Sequence, residues 1–241
     1  MNFSKLLLLL MLAIPVQAAL TADQILEKAD EVRFPSGSAS VRTVVVSKKP
    51  GRSTDESAEY DVWVKGRDRT LIRVLSPASD RGTAILMAEG GLWIFLKNVS
   101  KPLRVSLQQR LIGEVSNGDL ARTNFVGDYT PVIIEKQPAF YVLSLKAKRD
   151  DVTYGSIKLW VQRTTFKPLK AAFYAVSGRI LKVGSYEGYK MMHGHEHPSR
   201  IVFTDAVTKG KVSTITYDDI TPRTDLADKY FTKDYLKKLK Y

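Results

Sequence analysis

The sequence predicts a mainly β protein of the α+β class, one large curved antiparallel sheet with helices over one face. Three observations predict it. About a dozen segments rich in β-branched and aromatic residues follow one another along the chain. Tight turn sequences separate many of them, Lys65-Gly66-Arg67-Asp68, Glu89-Gly90-Gly91, Val176-Ser177-Gly178 and Thr208-Lys209-Gly210, and connections this short join antiparallel neighbours. Helical signals are confined to the front, the middle and the far end of the chain.

The first eighteen residues read as a cleavable secretory signal. Met1 to Lys5 carries one positive charge, Leu6 to Ile14 is unbroken and apolar, and Pro15 precedes Val16-Gln17-Ala18, with cleavage after Ala18. The nine apolar residues before Pro15 fall well short of the roughly 20 that span a bilayer. Thr21 to Val32 then reads as an amphipathic helix, capped by Thr21 or Asp23, with Ile25, Leu26, Ala29 and Val32 on one stripe and Pro35-Ser36-Gly37 ending it.

Strands are expected near 40–47, 58–65, 69–75, 83–88, 91–97, 103–107, 140–147, 154–162, 168–176, 179–187, 198–206 and 211–217. Residues 108–139 break the pattern, and Gly118-Asp119-Leu120-Ala121-Arg122 reads as a short capped helix inside a long crossing segment. A last short helix is expected to include Asp234 to Leu239. In Gly91-Leu92-Trp93-Ile94-Phe95-Leu96 and Lys158-Leu159-Trp160-Val161 both alternating sets are apolar. Such strands are buried on both faces, or one face lines an apolar cavity. No linker, low-complexity tract or internal repeat divides residues 19–241, so one domain is expected.

The chain has no cysteine, which excludes disulfide staples, thiolate chemistry and a lipid-modified cysteine anchor. Its net charge of +12 falls to +11 once Lys5 leaves with the signal. Outside the cytoplasm such a charge meets phospholipid head groups and lipopolysaccharide rather than nucleic acid. An anionic membrane surface is therefore the expected polyanionic partner, and no nucleic acid is expected. The basic residues Lys48, Lys49, Arg52, Lys65, Arg67, Arg69 and Arg73 are scattered rather than gathered on one face, which is also the pattern of a merely solvated surface.

Chemistry is sparse. There is no Gly-x-Ser-x-Gly elbow, no phosphate-cradling glycine loop and no HExxH, so no cofactor is expected. The three histidines cluster in His193-Gly194-His195-Glu196-His197-Pro198. Imidazoles two apart on an extended segment point the same way, which makes His193, His195 and His197 metal candidates. The adjacent glycine and proline equally describe a solvated hairpin loop. Asp150-Asp151 and Asp218-Asp219 fall at expected turns or strand ends.

Four stretches carry a family resemblance: Tyr60-Asp61-Val62-Trp63-Val64-Lys65, Leu71-Ile72-Arg73-Val74-Leu75-Ser76-Pro77, Gly82-Thr83-Ala84-Ile85-Leu86 and Leu92-Trp93-Ile94-Phe95-Leu96. In this order and spacing the chain resembles the periplasmic outer-membrane lipoprotein-sorting (LolA-like) superfamily. It is most similar to the branch associated with RND-type exporters, in which a Gly-Asp, Phe and Asp-Tyr segment follows, here Gly118-Asp119-Leu120, Phe125 and Asp128-Tyr129. Pro168-Leu169-Lys170 and Tyr186-Glu187-Gly188-Tyr189 fit the same branch.

The resemblance implies a curved antiparallel half-open barrel of about 11–12 strands covered by short helices, with an apolar hollow for lipid or lipoprotein acyl chains. It implies a non-enzymatic periplasmic carrier that shields those chains on the way toward the outer membrane. It also implies an RND-type inner-membrane transporter as partner. Trp63, Leu71, Leu75, Leu86, Trp93, Phe95, Trp160 and Phe173 are the expected cavity wall or the core behind it. One departure stands out: the basic residue that follows the Trp63 strand in the family's lipoprotein carriers falls on Gly66 here, with Arg67 beside it. Two other readings follow from the residues: a periplasmic adaptor of such an exporter without cargo of its own, and an enzyme or metal protein built on the histidine loop.

Overall fold

The computed structural model describes residues 19–34, 37–121 and 125–239. The secretory signal, the Pro35-Ser36 helix stop and Arg122 of the mid-chain helix lie outside the described residues. The first helix, α1 (Ala22–Arg33), starts at a reciprocal capping box. The Thr21 hydroxyl accepts from the Gln24 N–H at 3.2 Å and Gln24 Oε1 accepts from the Thr21 N–H at 3.0 Å.

A first meander follows: β1 (Ser38–Lys48), β2 (Glu56–Lys65), β3 (Arg69–Ser76), β4 (Ala84–Ala88), β5 (Gly91–Phe95) and β6 (Leu103–Val105). A two-stranded ribbon, β7 (Arg110–Ile112) with β8 (Val115–Ser116), leads into α2 (Asn117–Ala121). A second meander comprises β9 (Tyr129–Lys136), β10 (Phe140–Ala147), β11 (Ser156–Gln162), β12 (Pro168–Tyr174), β13 (Ile180–Met192), β14 (His195–Asp205) and β15 (Val212–Tyr217). The chain ends in β16 (Thr221–Pro222), a 3₁₀ turn at Asp228–Phe231 and α3 (Lys233–Leu236).

Both meanders belong to one 14-stranded antiparallel sheet, ordered β6-β5-β4-β3-β2-β1-β15-β14-β13-β12-β11-β10-β9, with β16 beside the start of β1. The meanders join where β1 pairs β15, from Thr43↔Tyr217 to Lys48↔Val212. The sheet curves without closing and forms a half-barrel whose edges are β6 and β9. This topology explains the mid-chain break in the strand pattern. Residues 106–121, which carry α2, follow the edge strand β6, and residues 125–128 lead into the other edge strand, β9.

The expected strands are present, and β9 lies inside the stretch read as a crossing segment. Its sequence, Tyr-Thr-Pro-Val-Ile-Ile-Glu-Lys, contains Pro131. Proline removes a ladder N–H, which is tolerated at an edge strand, and β9 is one. The last helix is shorter than expected, because the 3₁₀ turn takes the preceding residues.

Side chains alternate in and out along the central strands, as in β2, where alternate residues from Ala58 to Val64 are buried. The inward set forms the larger core with Ile25, Leu26 and Ala29 of α1 and Leu120 and Ala121 of α2. A second core lies on the opposite face of β2–β5, beneath the C-terminal segment from Leu226 to Leu239.

Candidate functional site

β2 to β5 are apolar on both faces because both faces are covered. Val62, Val64, Ile72, Val74, Ile85, Met87 and Leu92 turn toward α1 and α2. Trp63, Leu71, Leu86, Trp93 and Phe95 turn the other way, against Leu226, Phe231 and Leu236. Trp63 meets Tyr230 edge-on at 5.8 Å between ring centroids. Lys65 and Arg69 hold the same segment through Asp228 at 2.5 and 2.7 Å.

Five of the eight expected wall residues therefore lie in the core beneath the C-terminal strap. Phe173 is in the inner core, 4.6 Å from Tyr154 and 5.8 Å from Phe203 between ring centroids. Leu75 is partly buried near the end of β3, and Trp160 sits on the uncovered outer face between Lys158 and Lys170. In β2–β5 the residues facing the inner core are the alternate set, and no pattern in these strands separates one face from the other when both are apolar.

The space beneath the helices is well filled. A void of about 20 Å³ remains between Arg33, Asp119, Phe125, Tyr154, Phe173, Tyr186 and Phe203, enough for about one water. Two buried ion pairs flank it. Asp30 receives Arg33 at 2.6 Å and the N–H groups of Phe125 and Val126 at 2.5 and 2.7 Å. Burial pushes its pKa up, and Arg33 with those N–H groups opposes the rise. The Arg33 guanidinium stacks on Phe125 at 3.7 Å. Asp119 receives Lys182 Nζ at 2.5 Å and the Tyr154 hydroxyl at 2.6 Å. Burial lowers the Lys182 pKa while Asp119 counters, and burial together with Asp119 lifts the Tyr154 phenol well above its usual value.

These groups were not singled out from the sequence as a cluster, although Gly118, Asp119, Phe125, Asp128 and Tyr129 carried the resemblance. The structure gives each a structural role. Gly118 packs so closely on Thr153 that a Cβ would stand 2.0 Å from Thr153 Oγ1. Asp119 and Phe125 anchor the crossing segment, Asp128 meets Arg149 at 3.5 Å, and the Tyr129 hydroxyl accepts from the Tyr154 N–H at 3.1 Å.

A larger cavity opens at the mouth of the half-barrel. It measures about 660 Å³ and lies between the β4–β6 end of the sheet and the β10–β11 loop. Met87, Leu92, Val105 and Leu107 supply apolar lining, and Arg104, Arg149, Asp68 and Asp151 stand among the polar groups. Gln108 ties the two sides together, its Nε2 donating to the carbonyls of Asp150 and Val152 at 3.1 and 3.0 Å. Volumes of ~300–1,000 Å³ are typical of small-ligand sites.

At the β2–β3 turn Gly66 has φ +65°, a left-handed conformation that favours glycine over a long basic residue. Arg67 beside it reaches Glu27 of α1 at 3.2 Å. The histidines diverge. His193 bonds Asp219 at 3.0 Å, His195 is exposed, and His197 turns inward with Nδ1 2.9 Å from the Val32 carbonyl oxygen. Among the described residues no group of three His, Cys, Asp or Glu side chains gathers to hold a metal.

The sheet is an open antiparallel half-barrel with α1 and α2 on its inner face, and, contrary to the expected cover on one face alone, α3 and the 3₁₀ turn cover part of the outer one. A LolA superfamily protein of Nitrosomonas europaea matches with 45% identity and a TM-score of 0.85, over 90% of this chain and all of that one. The chain belongs to the LolA superfamily. A DUF1329 family protein from Desulfovibrio piger (TM-score 0.76, 19% identity, 89% of this chain and 97% of that one) shares the fold. So does a domain from Vibrio parahaemolyticus described as outer membrane lipoprotein-sorting (TM-score 0.73, 20% identity, 90% and 98%). A family model described only as "Uncharacterized protein" matches residues 66–238. No protein of curated function matches.

Proposed function

We propose that the protein is a non-enzymatic periplasmic carrier that shields the acyl chains of a lipid or lipoprotein during transfer toward the outer membrane. The observation that carries this reading is the cavity of about 660 Å³ at the mouth of a LolA-superfamily half-barrel, with apolar lining inside and arginines among its polar groups. Each acyl methylene buried there gains ~0.8 kcal/mol, while Arg104 and Arg149 suit a phosphate or carboxylate head. The secretory signal read at residues 1–18 supports a periplasmic address, and among the described residues no helix is long and apolar enough to cross a membrane. The branch resemblance supports an RND-type inner-membrane transporter as the source of energy and cargo.

The filled space beneath α1 and α2 favours a second reading, an exporter adaptor without cargo. Mass spectrometry of the protein purified from the periplasm distinguishes them. A carrier retains extractable lipid, and a Val105→Lys variant, with a charge placed in the mouth, loses it. A lipid-free wild type contradicts the carrier.

A further inference from the structure

We propose that the outer face of β9–β12 is a docking surface for an anionic lipid bilayer. On β11, Trp160 lies between two ammonium groups, Lys158 Nζ at 4.9 Å and Lys170 Nζ at 4.4 Å from its ring. Register places Lys158 opposite Ser144 of β10, and Trp160 opposite Val142, which it helps to cover. Lys146 adds a third cation two residues further along β10. None of these three lysines forms an ion pair among the described residues. Exposed aliphatic side chains border them: Val132 and Ile134, 57% and 52% exposed on β9, and Leu169, 41% exposed on β12.

The chemistry selects a bilayer over a protein partner. Lysine is depleted at protein–protein interfaces, whereas tryptophan with lysine marks the head-group region of membranes, the ring at the interface and the long stems carrying their charges toward phosphates. Glu135 stands opposite Val142 in register, and it is engaged by Gln137 Nε2 at 2.6 Å. Among the described residues no element covers this face, in contrast to the strap over β2–β5.

The test is flotation of the mature protein with phosphatidylglycerol vesicles and with phosphatidylcholine vesicles at ~0.1 M salt, where screening acts over ~10 Å. Wild type is expected to bind the anionic vesicles and to fail on the neutral ones. The Lys146→Gln/Lys158→Gln/Lys170→Gln variant should lose on the order of 100-fold in partition, and Trp160→Ala several-fold. A control of equal charge loss elsewhere, Lys97→Gln/Lys190→Gln/Lys209→Gln, should lose far less. Equal loss in the two triple variants, or no binding by wild type, overturns the proposal. Because the readout is membrane partition and not retained lipid, its failure is separate from failure of the carrier reading.

Discussion

Lys182 of β13 and Asp119 of α2 form an ion pair of 2.5 Å with both side chains almost wholly buried, at 3% and 5% exposure. The pair pins the crossing segment to the far wall of the half-barrel. Tyr154 and the Ser116 hydroxyl complete the Asp119 shell at 2.6 and 2.9 Å, and the Glu114 carbonyl accepts a second Lys182 bond at 2.5 Å.

A pair this buried is far costlier to halve than to replace. Lys182→Met leaves Asp119 as an uncompensated buried carboxylate and should destabilise the fold by ~3–5 kcal/mol. Lys182→Met/Asp119→Leu should recover a large part of that loss. Urea denaturation of the three proteins measures both, and an additive double variant would contradict the buried pair.

The close approach at Gly118 predicts a steric cost. Gly118→Ala places its methyl 2.0 Å from Thr153 Oγ1 and 2.6 Å from Cγ2, and overpacking of this kind costs ~1–3 kcal/mol. Thr153→Ala, which removes both atoms, should partly rescue it. Thermal denaturation reads the rescue.

His197 sets a pH dependence whose sign follows from its surroundings. Burial holds its pKa below the ordinary ~6.5, outweighing the bond to the Val32 carbonyl. The folded state therefore favours the neutral ring. Its contribution is intact above ~6.5 and is lost as pH falls from there through the folded-state value, because the unfolded chain takes the proton first. Wild type should thus lose more stability than His197→Asn between pH ~7.5 and ~5, measured as denaturation midpoints. Parallel pH profiles would contradict the assignment.

The two cores predict separable effects. Leu236 is fully buried beneath the outer face, so Leu236→Ala should cost ~2–5 kcal/mol while leaving acyl-probe binding at the mouth unchanged. Loss of binding in a folded Leu236→Ala protein would show that the strap side holds the cargo.

The sheet was largely legible in the sequence, because each strand alternates or runs apolar between well-marked turns. β9 was not, since Pro131 conceals an edge strand. The site was less legible. Trp63, Leu71, Leu86, Trp93 and Phe95 announce an apolar face, but its cover, Leu226 to Leu239, is distant in sequence and polar between its anchors. Direction was therefore undetermined. Asp30, Arg33, Asp119 and Lys182 look like ordinary surface charges in one dimension. Only the fold, which brings α2 against β13, buries Asp119 and Lys182 against each other. In the histidine cluster, alternation held for the neighbouring rings of His195 and His197, 6.3 Å apart, while the turn at His193, with φ +48°, carries the third ring away.

In the proposed carrier, acyl chains enter at the mouth between β4–β6 and the β10–β11 loop. The decisive measurement is titration of the mature protein with a fluorescent fatty-acid analogue, compared with a Val105→Lys variant of unchanged stability. Wild type is expected to bind saturably, and the variant at least tenfold more weakly, about 1.4 kcal/mol. Equal binding by the two proteins, or none by wild type, would contradict it.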